Sequence, residues 1–368
     1  MTPRRLILAI VLVFGLSTTA YANAGTPLMW ASTLHLVFGN LFLGIIEGVL
    51  LVWWFRARSL RAFPCMIAAN YFSAWLGGHL LFLGVAKVPD INLSNFWFWF
   101  WLFWIAAFVI TCGLEFPFVF AALWKRGQGF GRIALACLLV HAVSYLLLTG
   151  WYRGASKLTM VTEFRLVPIQ EMNPEGRYIL FFITPDGKQV VKSGLSGTSP
   201  RPVFSIPSSR QPNRLLARLN DEGRYDLYLI YHAGGPQPSY DMIQKDFACL
   251  APLDYQLSRD GEWDPKEAWE HYFYIPALGE PSSWEFDLGF WPFEGIYATE
   301  RATGEVRSWG LETPMVQWSA RNAVQLEGDR LVFQLGWDQI CLLDPETRRI
   351  ALIARGFGPL VAQKCPSE

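Results

Sequence analysis

Charge is almost missing from the first 152 residues, which carry three acids, Glu47, Asp90 and Glu115, against nine Lys and Arg. Histidine is scarce throughout, with five in 368 residues. The six cysteines form no CxxC pair, and no HxxxH, HExxH, GxSxG or phosphate-loop pattern occurs. These absences remove the short signatures of common zinc sites, serine hydrolases and nucleotide binders. A basic face is lacking too. Residues 1–152 sum to +6, and residues 153–368, with 22 basic and 28 acidic residues, to −6. The zero net charge is a cancellation between two halves, and it gives no reason to expect a nucleic-acid partner.

What is present is apolar length. Arg4 and Arg5 precede the run Leu6–Leu16 and then Ala22-Asn23-Ala24, the small-residue pattern of a signal cleavage site. Residues 1–24 therefore read as a signal peptide cut before Gly25, with an uncleaved first helix as the alternative. Four apolar stretches follow, about residues 28–55, 64–86, 96–124 and 133–150, each near the ~20 residues that cross a bilayer. Short connections predict antiparallel neighbours in a four-helix transmembrane bundle over residues 25–152.

Orientation follows from Lys and Arg. Arg56, Arg58 and Arg61 follow the first span, and Lys125, Arg126 and Arg132 follow the third. With Arg4 and Arg5, eight of the nine basic residues fall on one side, which is cytoplasmic. The Lys87–Asn95 loop and everything after Gly150 lie outside. In a bacterium this makes a multi-pass inner-membrane protein with its C-terminal domain in the periplasm. The lipid bilayer is then its first partner. The run from Phe96 to Trp104, nine residues of which eight are aromatic, reads as an interfacial anchor, or as a stacking surface for a quinone or sterol.

An ionisable group in hydrocarbon costs several kcal/mol unless it is paired or faces a cavity, so each one is a candidate site. At ~1.5 Å per residue, Glu47, Asn70 and Glu115 lie about 10–13 Å from the inner boundary. His35, His79 and His141 lie about 10–13 Å below the outer one. Thr33, Asn40 and Glu47 recur every seven residues, and Gly44 and Gly48 flank Glu47 as a GxxxG that admits a close neighbour. Thr111 and Cys112 lie one turn from Glu115. Cys137, His141, Ser144 and Tyr145 follow helical spacing. These stripes predict one polar site built from Glu47, Glu115 and His141 with Asn40 and Asn70. His35 and His79 point elsewhere, toward each other near the outer rim or toward a partner subunit.

Four readings of these residues stay open. The inner group is a proton or ion pathway, or a metal site in which Glu47, Glu115, His141 and Cys137 hold Fe, Mn or Zn. His35 and His79 are axial ligands of a haem. Or all are hydrogen-bonded polar glue between helices. No residue pattern singles out one cofactor.

From Trp151 the pattern changes to short strands and turns. The run Tyr178–Ile183, then Pro185-Asp186-Gly187, then Gln189–Val191 is a hairpin. Tyr225–Tyr231 alternates like a strand, and Ser193–Asn213 reads as a long loop. The segments Ile296–Val306 and Ile340–Ile350 share Ile-x-x-x-acid-x-x-Thr-x-x-Val/Ile at an offset of 44 residues, near the period of propeller blades. Residues 153–368 are therefore expected to form a mostly antiparallel β domain, a sandwich or propeller-like array. His232 and His271 could act as bases but lack partners that would make a constellation. Cys341–Cys365 is the expected disulfide, closing the tail.

The functional expectation is a non-enzymatic membrane protein. Its outer β domain binds, senses or assembles, with a protein partner or a second copy engaged through the helices or the β domain. The alternative is a redox, metal or proton-coupled component using the intramembrane Glu and His residues.

Overall fold

The computed structural model describes residues 26–85, 88, 90–124, 129–174, 176–198, 200–231, 239–252, 274–280, 283–290 and 292–365. The expected signal peptide, His232 and His271 lie outside the described residues. Two units result. One comprises residues up to Asp90 with Phe98–Ser156 and Thr313–Met315. The other comprises Ile91–Trp97, Lys157–Glu312 and the residues from Val316 onward.

The first unit is helical. Thr26 opens α1 (Pro27–Phe55): its Oγ1 accepts from the Met29 N–H at 3.3 Å, and Pro27 takes the first helical position, where its missing N–H is not needed. A π turn, His35–Gly39, interrupts α1. Arg56, at φ 56°, ends it in the left-handed conformation. Three more long helices follow: α2 (Ser59–Val85), α3 (Phe96–Leu123) and α4 (Phe130–Ala155). Among the described residues three helices, α1, α3 and α4, are long and apolar enough to cross a membrane. The 27-residue α2 carries Asn70, Tyr71, Ser73 and His79 along its length.

Gly44 and Gly48 set the approach of α1 to α2. A Cβ on Gly44 would stand 2.6 Å from Ile67 Cα, and one on Gly48 would stand 2.6 Å from the Phe63 ring. The core joins Leu51, Met66, Val119 and Ala136, one from each helix in turn. Outward, Trp53, Trp75, Ile105, Val109 and Leu146 are all more than half exposed. A helical unit apolar inside and out matches a lipid solvent.

The second unit is mostly β. In chain order its strands are β1 (Arg165–Leu166), β2 (Tyr178–Ile183), β3 (Gln189–Gly194), β4 (Arg201–Ser205), β5 (Pro212–Leu219) and β6 (Tyr225–Tyr231). Next come β7 (Tyr240–Ala248), β8 (Ala277–Leu278), β9 (Trp284–Leu288), β10 (Ile296–Glu300), β11 (Val306–Trp309) and β12 (Leu311–Glu312). The last six are β13 (Gln317–Trp318), β14 (Ala320–Leu326), β15 (Leu331–Leu335), β16 (Gln339–Asp344), β17 (Arg349–Arg355) and β18 (Phe357–Gln363). They form sheets β18-β2-β3-β4, β5-β6-β7, β9-β10-β11, β12-β13 and β1-β17-β16-β15-β14-β8. Antiparallel meanders dominate; among the described residues β1–β17 and β8–β14 pair in parallel. Among the described residues no sheet closes into a barrel.

The stacking explains why β2 does not alternate. Ile179, Phe181 and Ile183 pack toward β5 and β6, while Tyr178, Leu180 and Phe182 pack toward β15 and β16. A strand covered on both faces reads as a continuous apolar run. The hairpin after it forms as the sequence predicts: Gly187 takes φ 69°, and Asp186 Oδ1 accepts from Thr184 Oγ1 at 2.6 Å. The two similar segments are strand-and-turn connectors, β10–β11 and β16–β17. In one, Thr303 Oγ1 donates to Glu300 at 2.7 Å. In the other, the Thr347 N–H donates to Asp344 at 3.0 Å.

Two expectations are corrected. Ser193–Asn213 is not one long loop, because β4 lies within it as the exposed edge of its sheet, pairing with β3. An edge strand open to solvent needs no apolar alternation, so the sequence hid it. The disulfide is Cys249–Cys365, not Cys341–Cys365. Leu250 bridges Gln363, and the Cys249 N–H donates to Gln363 O at 3.3 Å, which brings the ends of β7 and β18 side by side. Cys341 is a free, fully buried residue of β16.

The Ile91–Trp97 segment, which joins the end of the expected Lys87–Asn95 loop to the start of the aromatic run, belongs to the β unit. The Leu93 N–H donates to Gln339 Oε1 at 2.6 Å, and the Phe96 ring, fully buried, lies 6.0 Å from Trp318. The first member of the aromatic run is thus a core residue of the β unit rather than an interfacial anchor.

Candidate functional site

Four helices converge on one buried polar cluster. Glu47 comes from α1, Asn70 and Ser73 from α2, Glu115 from α3, and His141 and Ser144 from α4; each is at most 7% exposed. Asn70 Nδ2 donates to Glu47 Oε2 at 2.5 Å and to Met66 O at 3.0 Å, and Ser144 Oγ donates to Glu47 Oε1. Ser73 Oγ donates to Glu115 Oε1 at 2.5 Å. His141 Nε2 lies 2.9 Å from Glu115 Oε2. All four carboxylate oxygens are therefore engaged, as buried polar atoms must be.

The proton on His141 can be placed in part. Its Nδ1 is 2.7 Å from Cys137 O. A carbonyl oxygen only accepts, so Nδ1 carries a hydrogen. Nε2 then either carries a second proton toward an ionised Glu115 or accepts one from Glu115. Donor atoms of Glu47, Glu115 and His141 lie within 4.8 Å of one another, as do those of Cys112, Cys137 and His141. Among the described residues the cluster contains no Lys or Arg. Two carboxylates and one imidazole in low dielectric thus need a further positive charge or a shared proton.

The other residues named from sequence fall in different places. Asn40 is buried, but its amide turns back to Leu36 O in its own helix at 3.3 Å. His35 Nδ1 meets the Tyr152 hydroxyl at 2.7 Å, while His79 is an exposed residue of α2. Among the described residues the hydrogen-bond partner of His35 is thus Tyr152 on α4, not His79. Thr111 and Tyr145 bond to each other at 2.8 Å. Ser73 was not anticipated. Its spacing of three from Asn70 puts it on the same helix face, and that spacing was its available signal.

A second candidate lies wholly in the β unit. A cavity of about 620 Å3 is bordered by β5, β9, β13, β14 and β18, drawn from five different sheets. Arg214, Arg321 and Asn322 give it polar edges, and Tyr274, Phe290 and Trp337 give it aromatic ones. Among the described lining residues both charged ones are arginines. Arg321 lies over the Trp337 ring, 5.8 Å from its centre, and donates to Gly336 O at 3.1 Å.

The backbone of β14 is irregular where it meets the cavity. Its register with β15 shifts between Arg321 and Val324, and Asn322 takes φ 51°. Such a bulge re-aims side chains. Buried Gln334 holds it: its Oε1 accepts from Asn322 Nδ2 at 3.0 Å and from the Gly358 N–H at 2.9 Å, and its Nε2 donates to Trp337 O at 2.7 Å. Nothing in the sequence marked this cavity, since its lining comes from strands far apart in the chain.

Compared with known proteins, the chain matches no protein-family model and shows no significant similarity to a curated protein.

Proposed function

We propose that this chain is a multi-pass inner-membrane protein, with four spans, whose periplasmic β unit is a ligand-binding module. The cavity bordered by five sheets carries this reading. Its volume suits a small ligand, and an apolar lining with a few convergent polar groups is the usual make-up of such sites. Two arginines among the lining residues, together with aromatic rings, favour an anion with an apolar body, such as a carboxylate-bearing amphiphile.

Three further observations support the reading. The exposed apolar surface of the helices suits lipid. Arginines cluster around the end of α1 and the start of α2, which favours that side as cytoplasmic. The Cys249–Cys365 disulfide favours an oxidising compartment for the β unit. The sheets themselves suit a propeller-like array. In the β5–β7 and β9–β11 meanders the first strand borders the cavity, and β18 returns to complete the sheet begun by β2. A protein partner or second copy would bind through the rest of this unit or through the helices.

The test is native mass spectrometry of the full chain in mild detergent, with thermal unfolding in the presence of long-chain fatty acid. The expected result is an added mass or a rise in melting temperature, lost in Arg321→Ala and in Ala323→Trp, which fills the cavity. No added mass and no shift for either fatty acid or a phosphate-bearing amphiphile would reject it.

A second reading has its own observation. Three ionisable side chains from three helices meet at one buried point, which suits a metal- or proton-coupled role within the helical unit.

A further inference from the structure

The geometry points to a binding site for one divalent first-row metal ion inside the helical unit, with Glu47, Glu115 and His141 as its ligands. This inference deepens the second reading above and is independent of the β-unit cavity.

Charge comes first. Two carboxylates and a neutral imidazole sum to −2, which one divalent ion neutralises. Without an ion, the same groups become neutral only by holding extra protons, because the described residues of the cluster include no Lys or Arg.

Tautomer comes next. The Nδ1–H of His141 is committed to Cys137 O at 2.7 Å, which leaves Nε2 as the ligand atom. Histidines that bind metals nearly always fix their second nitrogen on a carbonyl or carboxylate in this way. The carboxylates are held similarly: Asn70 and Ser144 hold Glu47, and Ser73 holds Glu115. These three side chains form the outer ring that orients the ligands.

Distance decides whether an ion fits. Ligands at ~2.1 Å from one ion stand at most ~4.2 Å apart. The three donor atoms lie within 4.8 Å of one another, so reaching the ~3.4 Å of tetrahedral ligands closes the widest pair by at most ~1.4 Å. The Glu115–His141 contact of 2.9 Å has to open by ~0.5 Å. Oxygen and imidazole donors suit Mn2+, Fe2+ or Zn2+, and three protein ligands leave coordination positions free for water or a substrate. The neighbouring sulfurs of Cys112 and Cys137 are the competing donor set around the same histidine.

The experiment uses the full chain, tag removed, in mild detergent. It is stripped with chelator and then titrated with Mn2+, Fe2+, Zn2+ and, as a spectroscopic probe, Co2+. Metal is counted by elemental mass spectrometry. The expected result is about one ion per chain, with binding weakened at least tenfold in Glu47→Gln and Glu115→Gln. If those variants fail to fold, Ser73→Ala and Ser144→Ala keep every ligand and should weaken binding about 10–100-fold. Failure of the stripped protein to take up any of the four ions overturns the proposal. So does equal uptake by Glu47→Gln, Glu115→Gln and the serine variants. Loss of the ion in Cys137→Ser with none in Glu47→Gln would overturn the carboxylate set as well. Because no β-unit residue is altered, a negative result here leaves the cavity reading standing, and the reverse also holds.

Discussion

The imidazole of His141 and the carboxylate of Glu115 meet at 2.9 Å with both side chains 1% exposed, on neighbouring helices of a unit whose outer surface is apolar. Removing one member of such a pair strands the other without a partner. Removing both takes away the stranded group. His141→Leu alone should destabilise by about 3–5 kcal/mol. The double variant Glu115→Leu with His141→Leu should lose clearly less than the two single losses together, with a coupling of about 1–3 kcal/mol. Thermal unfolding of the full chain in one detergent measures all three. Simple additivity would show that the contact carries no interaction energy.

Close helix approach depends on Gly44. A Cβ there would meet the Ile67 backbone at 2.6 Å, and backbone cannot step aside as a flexible side chain can. Gly44→Val should therefore cost about 1–3 kcal/mol by overpacking. Since Glu47 lies one turn away and reaches Asn70 across the same α1–α2 contact, the variant should also weaken the polar cluster. Gly113→Val is the control, because a Cβ at Gly113 meets nothing within 4 Å. Equal effects of the two substitutions would dismiss the close-approach account.

The helical unit was more legible than the β unit, for physical reasons. Helical facing is a local rule, so spacing alone could bring Glu47, Glu115, His141 and Ser144 together. It failed at Thr33, which is exposed although Asn40 and Glu47 are buried. The π turn His35–Gly39 between them adds a residue to one turn and rotates the face, and no residue there announces it. Strand pairing is not local. That β18 joins β2, and that Cys365 therefore meets Cys249, depends on stacking over long separations. Proximity in sequence pointed to Cys341 instead. Phe96 likewise read as one more ring in an aromatic run, although it packs against Trp318, more than 200 residues further on.

The Cys249–Cys365 bridge closes a separation of 116 residues. Chain entropy assigns such a loop about 4–5 kcal/mol. Cys365→Ser should lower the melting temperature of the β unit, and reductant should do the same to the parent but not to the variant. Non-reducing peptide mapping should find 249 linked to 365 and Cys341 free. A peptide joining 341 to 365 would refute the pairing.

Cys341 offers a pH-dependent signature. It is fully buried between the β15 and β17 partners of its strand, and burial pushes its thiol up to about 12. In the unfolded chain a thiol titrates near ~8.5. The folded state therefore holds this proton at pH values where the unfolded chain gives it up. The resulting stability is fully present below about pH 8.5 and is lost as pH rises from there toward 12, at about 1.4 kcal/mol per unit. Cys341→Val, similar in size but without a proton to lose, should show a shallower fall of melting temperature between pH 8.5 and 10 than the parent. Iodoacetamide at pH 8 should label Cys341 only after unfolding. Rapid labelling of the folded chain, or identical pH slopes for parent and variant, would rule out the buried neutral thiol.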